Sequence, residues 1–181
     1  IKDRSHPQTN PVVTPLMESL PLEMPNRLET ALSLMDVDGA CPNGNCIIVV
    51  LDESRKGLLF LYWEGRLLAN TQVSSGRGRR WTTAGHHKKI IPYTPWKKSH
   101  LYNEFPMPYS VYYGGRSGDE FIHAGNIGGH SHGCIRVPAL KSALIWKLVK
   151  QAQKKQVGQF ELLVRKYRLP RQQLQTAFQF N

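Results

Sequence analysis

The stretch over 123–138, HAGNIGGHSHGCIRVP, concentrates side chains that can do covalent chemistry: one cysteine, three histidines, one arginine and four glycines. A cysteine becomes a strong nucleophile when a neighbouring imidazole takes its proton, and His123 and His132 are both candidates for that base. Backbone N–H groups at Gly133 and Cys134 can stabilise the oxyanion of a tetrahedral intermediate. We therefore predict an acyl-transfer site here, with Cys134 as nucleophile and a thiol pKa lowered by the histidine.

The elements that must position this stretch are predicted to be mainly strands. Runs rich in Ile, Val, Leu and aromatic residues are typical of strands, and Glu64-Gly65 is a hairpin turn between two of them. Twelve prolines and 15 glycines in 181 residues indicate a turn-rich chain. The predicted strands lie at 46–53, 57–63, 66–74, near 86–93, at 120–123 and at 157–165.

Two helices are also predicted. Asn26 and Glu29 have capping-box spacing, which indicates a short helix that ends near Gly39. Pro138 suits a first helical turn, and apolar residues recur at helical spacing from there to about Gln156. The predicted buried face of this second helix consists of Leu140, Leu144, Ile145, Leu148, Val149 and Ala152.

The segment between Ile91 and Phe121 combines four prolines with seven aromatic residues and cannot form one regular element. Aromatic side chains on such a stiffened loop can form a lid or a substrate-binding surface. They can equally cover the edge of a sheet, and the sequence favours neither function. The aromatic residues are Tyr93, Trp96, Tyr102, Phe105, Tyr109, Tyr112 and Tyr113.

The chain carries a formal net charge of +11, which attracts polyanions. Nucleic acid, an anionic membrane surface and an anionic cell-wall polymer are the candidate partners, but no nucleic-acid motif is present. No apolar run is long enough for a membrane span. The start at Ile1 rather than Met is typical of a processed chain, which is compatible with secretion.

Three cysteines are present, and two of them, Cys41 and Cys46, enclose the turn-forming residues Pro-Asn-Gly-Asn. Such a turn can bring both thiols together as a disulfide, which would indicate an oxidising compartment and leave Cys134 unpaired. The alternative is a pair of free or metal-bound thiols on a loop, although two cysteines are too few for a metal site on their own.

The residues Ser-His-Gly-Cys-Ile-Arg over 131–136, preceded by His-Ala-Gly over 123–125, resemble the active-site signature of the L,D-transpeptidase (YkuD-type) catalytic domain. The order of features over 47–164, about two thirds of the chain, is also similar to that domain. These features are Leu-Tyr-Trp-Glu-Gly-Arg at 61–66, Val-Ser-Ser-Gly at 73–76, Thr-Thr-Ala-Gly at 82–85 and Met-Pro-Tyr at 107–109.

The resemblance implies a mainly β fold, a β-sandwich of mixed sheets with one main packed helix, to which the short N-terminal helix is added. It implies a periplasmic or secreted enzyme of cell-wall organisation and cell shape that needs no cofactor and no metal and is a carbapenem target. The cysteine would attack the third residue of a peptidoglycan tetrapeptide stem, usually diaminopimelate, and release D-Ala. The resulting thioester would pass to another stem, a lipoprotein or other protein amine, or a D-amino acid.

By the same resemblance, Cys134 is the nucleophile and His123 the general base, oriented by a backbone carbonyl near Ala124. His132 and Gly133 would shape the oxyanion site, with a purely structural His132 as the alternative. Arg136 would anchor the site or a substrate carboxylate. The residues expected to contact substrate are Ser131, Arg136, Ala124, Gly125, Tyr109 and Met107.

Two departures from the family pattern are visible. Only seven residues separate His123 from Ser131, fewer than the broad pattern has, and Arg136 stands where many members carry Asn. We expect an N-terminal extension over 1–40, the catalytic domain over 41–166 and a tail over 167–181.

Three other functions compete with transpeptidation. Water as acceptor would make the same site an L,D-carboxypeptidase or endopeptidase. His130, His132 and Cys134 share one face if they lie on a strand, but a row about 13 Å long cannot easily converge on one tetrahedral metal ion. A basic cell-wall-binding module with an inactive site is the non-enzymatic alternative.

Overall fold

A computed structural model describes residues 41, 43–52, 54–116, 118–155 and 159–166, where it contains nine strands and one helix. The mainly β class with one packed helix is therefore confirmed. The predicted helix between Asn26 and Gly39 lies outside the described residues. The elements are β1 (Cys46–Leu51), β2 (Lys56–Trp63), β3 (Arg66–Ser74), β4 (Gly85–His87), β5 (Ile91–Pro92), β6 (Val111–Gly114), β7 (Glu120–Ala124), β8 (Ile135–Val137), α1 (Ala139–Lys155) and β9 (Glu161–Lys166).

The strands form one curled, mixed sheet in the order β4-β9-β1-β2-β3-β8-β7-β6-β5. β1 pairs with β9 in parallel and β7 pairs with β8 in parallel, while the other neighbours are antiparallel. The chain enters β8 from the glycine-rich loop that follows β7. Because β7 and β8 pair in the same direction, residues of β7 lie next to residues of β8, which follow the loop in the sequence.

The hairpin between β2 and β3 is the part of the sheet that local sequence predicts best. Trp63 pairs with Arg66, and Glu64 and Gly65 between them have φ angles of 51° and 76°. Two consecutive left-handed residues match the right-handed twist of the flanking strands. The predicted hairpin is therefore confirmed.

The strand predicted near 86–93 is wrong, because this segment forms two strands at opposite ends of the sheet. β4 pairs with β9, whereas β5 pairs with β6. Exposed Lys88 and Lys89 separate them, and Pro92 restricts β5 to a sheet edge since it has no N–H to donate. β6 and β8 were not predicted, because four and three residues are too few to show periodicity.

Helix α1 packs on β5, β6 and β7. It buries Ser142, Ile145, Leu148, Val149 and Ala152, whereas Leu140 is 86% exposed. The prediction of Leu140 on the buried face is wrong because, at about 100° per residue, it lies on the opposite side of the helix from Ile145.

The hydrophobic core lies between this helix and the inner strands. Its fully buried side chains include Ile47, Val49, Leu59, Leu61, Ile122, Ile135, Ile145 and Leu162. In the part of the chain that the structure describes, no helix has the length and apolar character needed to cross a membrane. Ile122 and Ile135, which pair across β7 and β8, anchor the two strands that carry the reactive residues.

Candidate active site

A cavity of about 1080 Å³ brings together Cys134, His123 and Arg136. His123 lies on β7 and pairs with Arg136 on β8, and Cys134 directly precedes β8. The parallel pairing thus places the predicted base and nucleophile at one site although 11 positions separate them in sequence. Ser131, His132 and Met107 also line this cavity.

His123 is buried and neutral. Its Nδ1–H donates to the Ala124 carbonyl oxygen at 2.8 Å, which leaves Nε2 as the proton acceptor. Burial lowers the pKa of His123 to about 4; the hydrogen bond to Ala124 opposes this shift, and the Arg136 charge adds to it. The ring is therefore an unprotonated base near neutral pH, with its tautomer set by the backbone.

Cys134 is a partly buried thiol whose Sγ lies 4.0 Å from the Asp119 carbonyl oxygen. Burial raises its pKa to about 11. The Phe121 backbone hydrogen bond is the main opposing effect, the Glu120 charge raises the pKa further, and Arg136 lowers it and Asp119 raises it to a smaller extent. The predicted lowering of the thiol pKa is therefore wrong in direction, because desolvation outweighs the nearby cation. The cavity therefore contains a protonated thiol and a neutral imidazole.

The turn before Cys134 is braced by Ser131. The Gly133 N–H donates to Ser131 Oγ at 3.1 Å, and Ser131 Oγ in turn donates to the Cys134 carbonyl oxygen. Gly133 has a φ of 125°, a conformation that side chains rarely adopt. Its N–H is therefore engaged within the turn, which leaves the Cys134 N–H as the oxyanion donor expected from this motif.

A buried hydrogen-bond network supports the turn that carries the nucleophile, and it was not predicted from the sequence. Its members are Thr82, Tyr113, Glu120 and Gly133, and we call them the cavity floor. The Gly133 carbonyl oxygen accepts from Thr82 Oγ1 at 2.6 Å and from the Tyr113 hydroxyl at 3.3 Å. The Tyr113 hydroxyl also lies 2.9 Å from Glu120 Oε2. These hydrogen bonds fix the backbone of the Gly133–Cys134 turn.

The Glu120 carboxylate is fully engaged. Besides Tyr113, it accepts from the Thr83 backbone N–H at 2.8 Å and from Thr83 Oγ1 at 2.6 Å. Burial raises the pKa of Tyr113, and the adjacent Glu120 charge raises it further. The Thr-Thr pair was visible in the sequence only as part of a turn, and Glu120 only as the start of a strand.

Gly76 allows two loops to meet at the floor. A Cβ on Gly76 would lie 2.0 Å from the Arg80 carbonyl oxygen and 2.6 Å from the Gly133 nitrogen. Its own N–H donates to Thr82 Oγ1 at 2.9 Å, and it forms a bridge with Ser131. Only a residue without a side chain fits this contact.

Three exposed side chains and one half-buried one line the opening of the cavity. They are Arg80, Phe105, His132 and the half-buried Tyr102, and we call them the cavity rim. The Tyr102 ring stacks on His132 at 4.4 Å between centroids, and Arg80 hydrogen-bonds to the Tyr102 hydroxyl. Burial lowers the pKa of His132, and the Arg80 and Arg136 charges lower it further.

The aromatic residues of this segment lie in two places. Tyr102 and Phe105 line the cavity, whereas Tyr93 and Tyr112 pack against Phe121 at centroid distances of 5.4 Å and 5.2 Å. The second group covers the β5–β6 end of the sheet.

Three residues expected to contact substrate lie outside the cavity lining. Tyr109 packs against Trp146 with ring centroids 6.2 Å apart. Ala124 is buried, and its carbonyl orients His123. A Cβ on Gly125 would lie 3.2 Å from Arg136 Cδ, so this glycine gives room to the arginine. Ala124 and Gly125 therefore support His123 and Arg136, whereas the Tyr109 ring packs against the helix.

Cys41 and Cys46 are joined by a disulfide with their Cα atoms 5.7 Å apart, and Cys134 is a free cysteine. No group of three His, Cys, Asp or Glu side chains within the described ranges could hold a metal ion. His130, His132 and Cys134 all lie in the loop before β8, so they do not form a row on one strand face.

Comparisons with known proteins agree with this fold. The chain is similar to the crystal structure of an L,D-transpeptidase (Yku) from Stackebrandtia nassauensis, at 18% identity and a TM-score of 0.50, over 71% of this chain and 57% of that one. It is similar to an L,D-transpeptidase from Mycobacterium tuberculosis H37Rv at 15% identity and a TM-score of 0.51, over 67% and 58% of the two chains.

The chain spans less than two thirds of either structure, and these likenesses establish the fold. No curated protein matches it. The family model of the L,D-transpeptidase catalytic domain matches residues 47–157, more than half of the 181 residues. The chain therefore belongs to the YkuD family of L,D-transpeptidase catalytic domains.

Proposed function

We propose that this chain is a peptidoglycan L,D-transpeptidase in which Cys134 is the nucleophile and His123 the general base. The observation that carries the proposal is the tautomer of His123. Because its Nδ1–H is committed to the Ala124 carbonyl, its Nε2 is the free proton acceptor in the cavity that also contains Cys134. General-base activation needs this arrangement.

In the first half-reaction, Cys134 Sγ attacks the carbonyl carbon of the third residue of a tetrapeptide stem while His123 Nε2 takes the thiol proton. Because burial raises the pKa of the thiol, His123 takes its proton as the sulfur attacks. The oxyanion is stabilised by the Cys134 N–H. Collapse breaks the bond to D-Ala, whose nitrogen receives the proton from His123, and leaves a thioester.

In the second half-reaction, an amine attacks the thioester carbonyl and passes its proton to His123. The C–S bond breaks, and the Cys134 sulfur takes that proton back. The acceptor amine belongs to another stem, to a lipoprotein or other protein, or to a D-amino acid. If water attacks instead, the same steps make the enzyme a carboxypeptidase or endopeptidase.

Arg136 is proposed to bind a donor carboxylate beside the nucleophile. It lines the cavity, and its buried Nε has no hydrogen-bond partner among the described residues. A guanidinium group suits a carboxylate because it offers several N–H donors in one plane. We further propose that 41–166 is the catalytic domain between an extension and a tail, and that it acts in the periplasm or outside the cell.

The test is the removal of the thiol. We expect Cys134→Ala to form neither cross-linked dimer nor tripeptide from purified tetrapeptide muropeptides, and the wild type to form one or both, as read by mass spectrometry. Ser110→Ala is a matched control, because Ser110 is buried outside the cavity lining. Product formation that persists in Cys134→Ala would refute the assigned nucleophile.

The products also separate the two acyl acceptors. Cross-linked dimers indicate transpeptidation, whereas tripeptides without dimers indicate hydrolysis. A carbapenem acylates a reactive active-site thiol, so the wild type should gain the mass of the drug and Cys134→Ala should not. A wild-type protein that gains no mass and turns over no muropeptide would favour the binding-module alternative.

A further inference from the structure

Arg55 is a buried arginine in the turn between β1 and β2, outside the lining of the cavity. It is 7% exposed, and its φ angle is 70°. The left-handed conformation is unfavourable for a residue with a side chain, and burial removes the guanidinium group from water. Such a residue is stable only where its surroundings compensate both costs, which makes the contacts of Arg55 informative.

The contacts of Arg55 converge on Ser75 and Gly76. Its Nη1–H donates to the Gly76 carbonyl oxygen at 3.0 Å. Its own carbonyl oxygen accepts from the Ser75 N–H and from Ser75 Oγ, both at 2.9 Å. Both residues are buried, so the hydrogen bonds that hold them are shielded from water.

Ser75 and Gly76 in turn hold the turn that precedes the nucleophile. The Ser75 carbonyl oxygen accepts from the Ser131 N–H at 3.1 Å. The Gly76 N–H donates to Thr82 Oγ1 at 2.9 Å, and Thr82 Oγ1 donates to the Gly133 carbonyl oxygen at 2.6 Å. A series of hydrogen bonds through Gly76 therefore connects the β1–β2 turn to the backbone next to the nucleophile.

The last hydrogen bond of this series determines where the proposed oxyanion donor points. The Gly133 carbonyl and the Cys134 N–H belong to one planar trans peptide group, so they point in opposite directions. A fixed Gly133 carbonyl therefore fixes the direction of the Cys134 N–H. Donors to an oxyanion are effective when they are aimed before the reaction begins.

We propose that Arg55 is a positioning residue for the oxyanion site. Its guanidinium group fixes Gly76, and Gly76 orients the Thr82 hydroxyl. That hydroxyl holds the peptide group that carries the Cys134 N–H. This inference rests on the proposed transpeptidase function, in which the Cys134 N–H stabilises the oxyanion. Because Arg55 does not line the cavity, it acts through the backbone of Gly76.

A second contact of the guanidinium group offers another route to the site. It lies over the ring of Trp81, which lines the cavity. Lys166 Nζ lies 4.4 Å from the centroid of the same ring. A substitution of Arg55 therefore also changes the cavity wall, and the experiment must separate this route from the one through Gly76.

The test uses Arg55→Gly in the full chain. Glycine adopts a φ of 70° without strain and keeps the carbonyl that Ser75 contacts, so the guanidinium group is the part that is lost. The rate at which a carbapenem acylates Cys134 is followed by intact mass at several drug concentrations. This separates the saturating rate from the half-saturating concentration.

Two other variants serve as controls. Trp81→Ala removes the stacked ring and keeps the hydrogen bond between Arg55 and Gly76. Arg66→Gln removes an exposed arginine at the start of β3, outside the cavity lining. Arg55→Asn, which tolerates the same φ, repeats the test if circular dichroism shows that the glycine variant does not fold.

We expect Arg55→Gly to lower the saturating rate roughly tenfold or more, because a misaimed donor stabilises the oxyanion poorly. The half-saturating concentration should change little. Millimolar guanidinium chloride should restore part of the rate, and sodium chloride at the same ionic strength should not. Trp81→Ala should mainly raise the half-saturating concentration, and Arg66→Gln should match the wild type.

A wild-type saturating rate in Arg55→Gly would overturn the positioning role. So would a fall that guanidinium does not restore in the folded variant, or an equal fall in Trp81→Ala. The proposed function fails differently: in that case the wild type itself gains no mass from the carbapenem and turns over no muropeptide.

Discussion

The floor and the rim of the cavity differ in how they are held. On the floor, Glu120 and Tyr113 are 3% and 4% exposed and take part in hydrogen bonds of 2.6 to 3.3 Å. On the rim, Phe105 is 52% exposed and contacts Arg136 through its ring. A buried polar group without a partner is costly, whereas an exposed one finds water. From this difference we expect the floor to position Cys134 and the rim to contact the substrate.

The largest effect on the free energy of unfolding is expected when a side chain is added at Gly76, whose backbone contacts the floor. Gly76→Ala would place a Cβ 2.0 Å from the Arg80 carbonyl oxygen, so we expect a loss of about 3 kcal/mol or more in the free energy of unfolding. Gly78→Ala is the control in the same loop: its φ is 66°, and no atom lies within 4 Å of the new Cβ, so about 1 kcal/mol is expected. Urea unfolding of both variants measures this, and equal losses would contradict the close contact.

The burial of His123 makes the free energy of unfolding depend on pH. Its pKa is lowered to about 4 in the folded protein from 6.5. Below pH 6.5 the unfolded chain binds a proton that the folded one excludes, so the stability present above that pH is lost as the pH falls towards 4. The loss approaches about 3 kcal/mol.

Urea unfolding of wild type and His123→Gln at about pH 7.5 and about pH 4.5 checks this linkage. The wild type should lose roughly 2 to 3 kcal/mol more than the variant between the two pH values. The same loss in both proteins would show that His123 is not buried as a neutral ring.

A smaller effect is expected from Glu120→Gln, which removes the charge on the floor and keeps the shape. Because the Glu120 charge raises the pKa of Cys134, the variant should have a thiol pKa below about 11, still above the ordinary value since burial remains. The pH dependence of alkylation by iodoacetamide measures it. We also expect kcat to fall roughly tenfold, as Tyr113 loses a charged partner.

Glu104→Gln is the matched control for that variant, because Glu104 is exposed and pairs with Lys98 outside the floor. It should leave both the thiol pKa and kcat unchanged. An unchanged thiol pKa in Glu120→Gln would show that the floor does not act on the nucleophile through charge.

The smallest effect on stability is expected at the rim. Phe105→Ala should change the free energy of unfolding by less than about 1 kcal/mol, because the ring is half exposed, yet raise KM roughly threefold through lost substrate contact. Trp96→Ala is the control, as Trp96 is 79% exposed and outside the cavity lining. If Phe105→Ala lost as much free energy of unfolding as Gly76→Ala, the rim and the floor would not differ in their contribution to stability.

Several features of this protein follow from local sequence. The β2–β3 hairpin depends on two residues that must adopt left-handed φ angles at Glu64 and Gly65, and α1 depends on helical spacing after Pro138. The grouping of His123 and Cys134 in one stretch was likewise sufficient to predict that both belong to one site. These features are local because neighbouring residues determine turn geometry and helix periodicity.

Other features were decided only by the tertiary structure. Thr82 and Tyr113 meet at the Gly133 carbonyl, and Glu120 bonds to Tyr113, because separate strands and loops converge there. The sign of the pKa shift of Cys134 depends on how much water the fold removes from the sulfur, and the charged neighbours alone did not reveal it. The tertiary structure also decided that β4 and β5 lie at opposite ends of the sheet. The partner of each edge strand depends on the order of all the strands in the sheet.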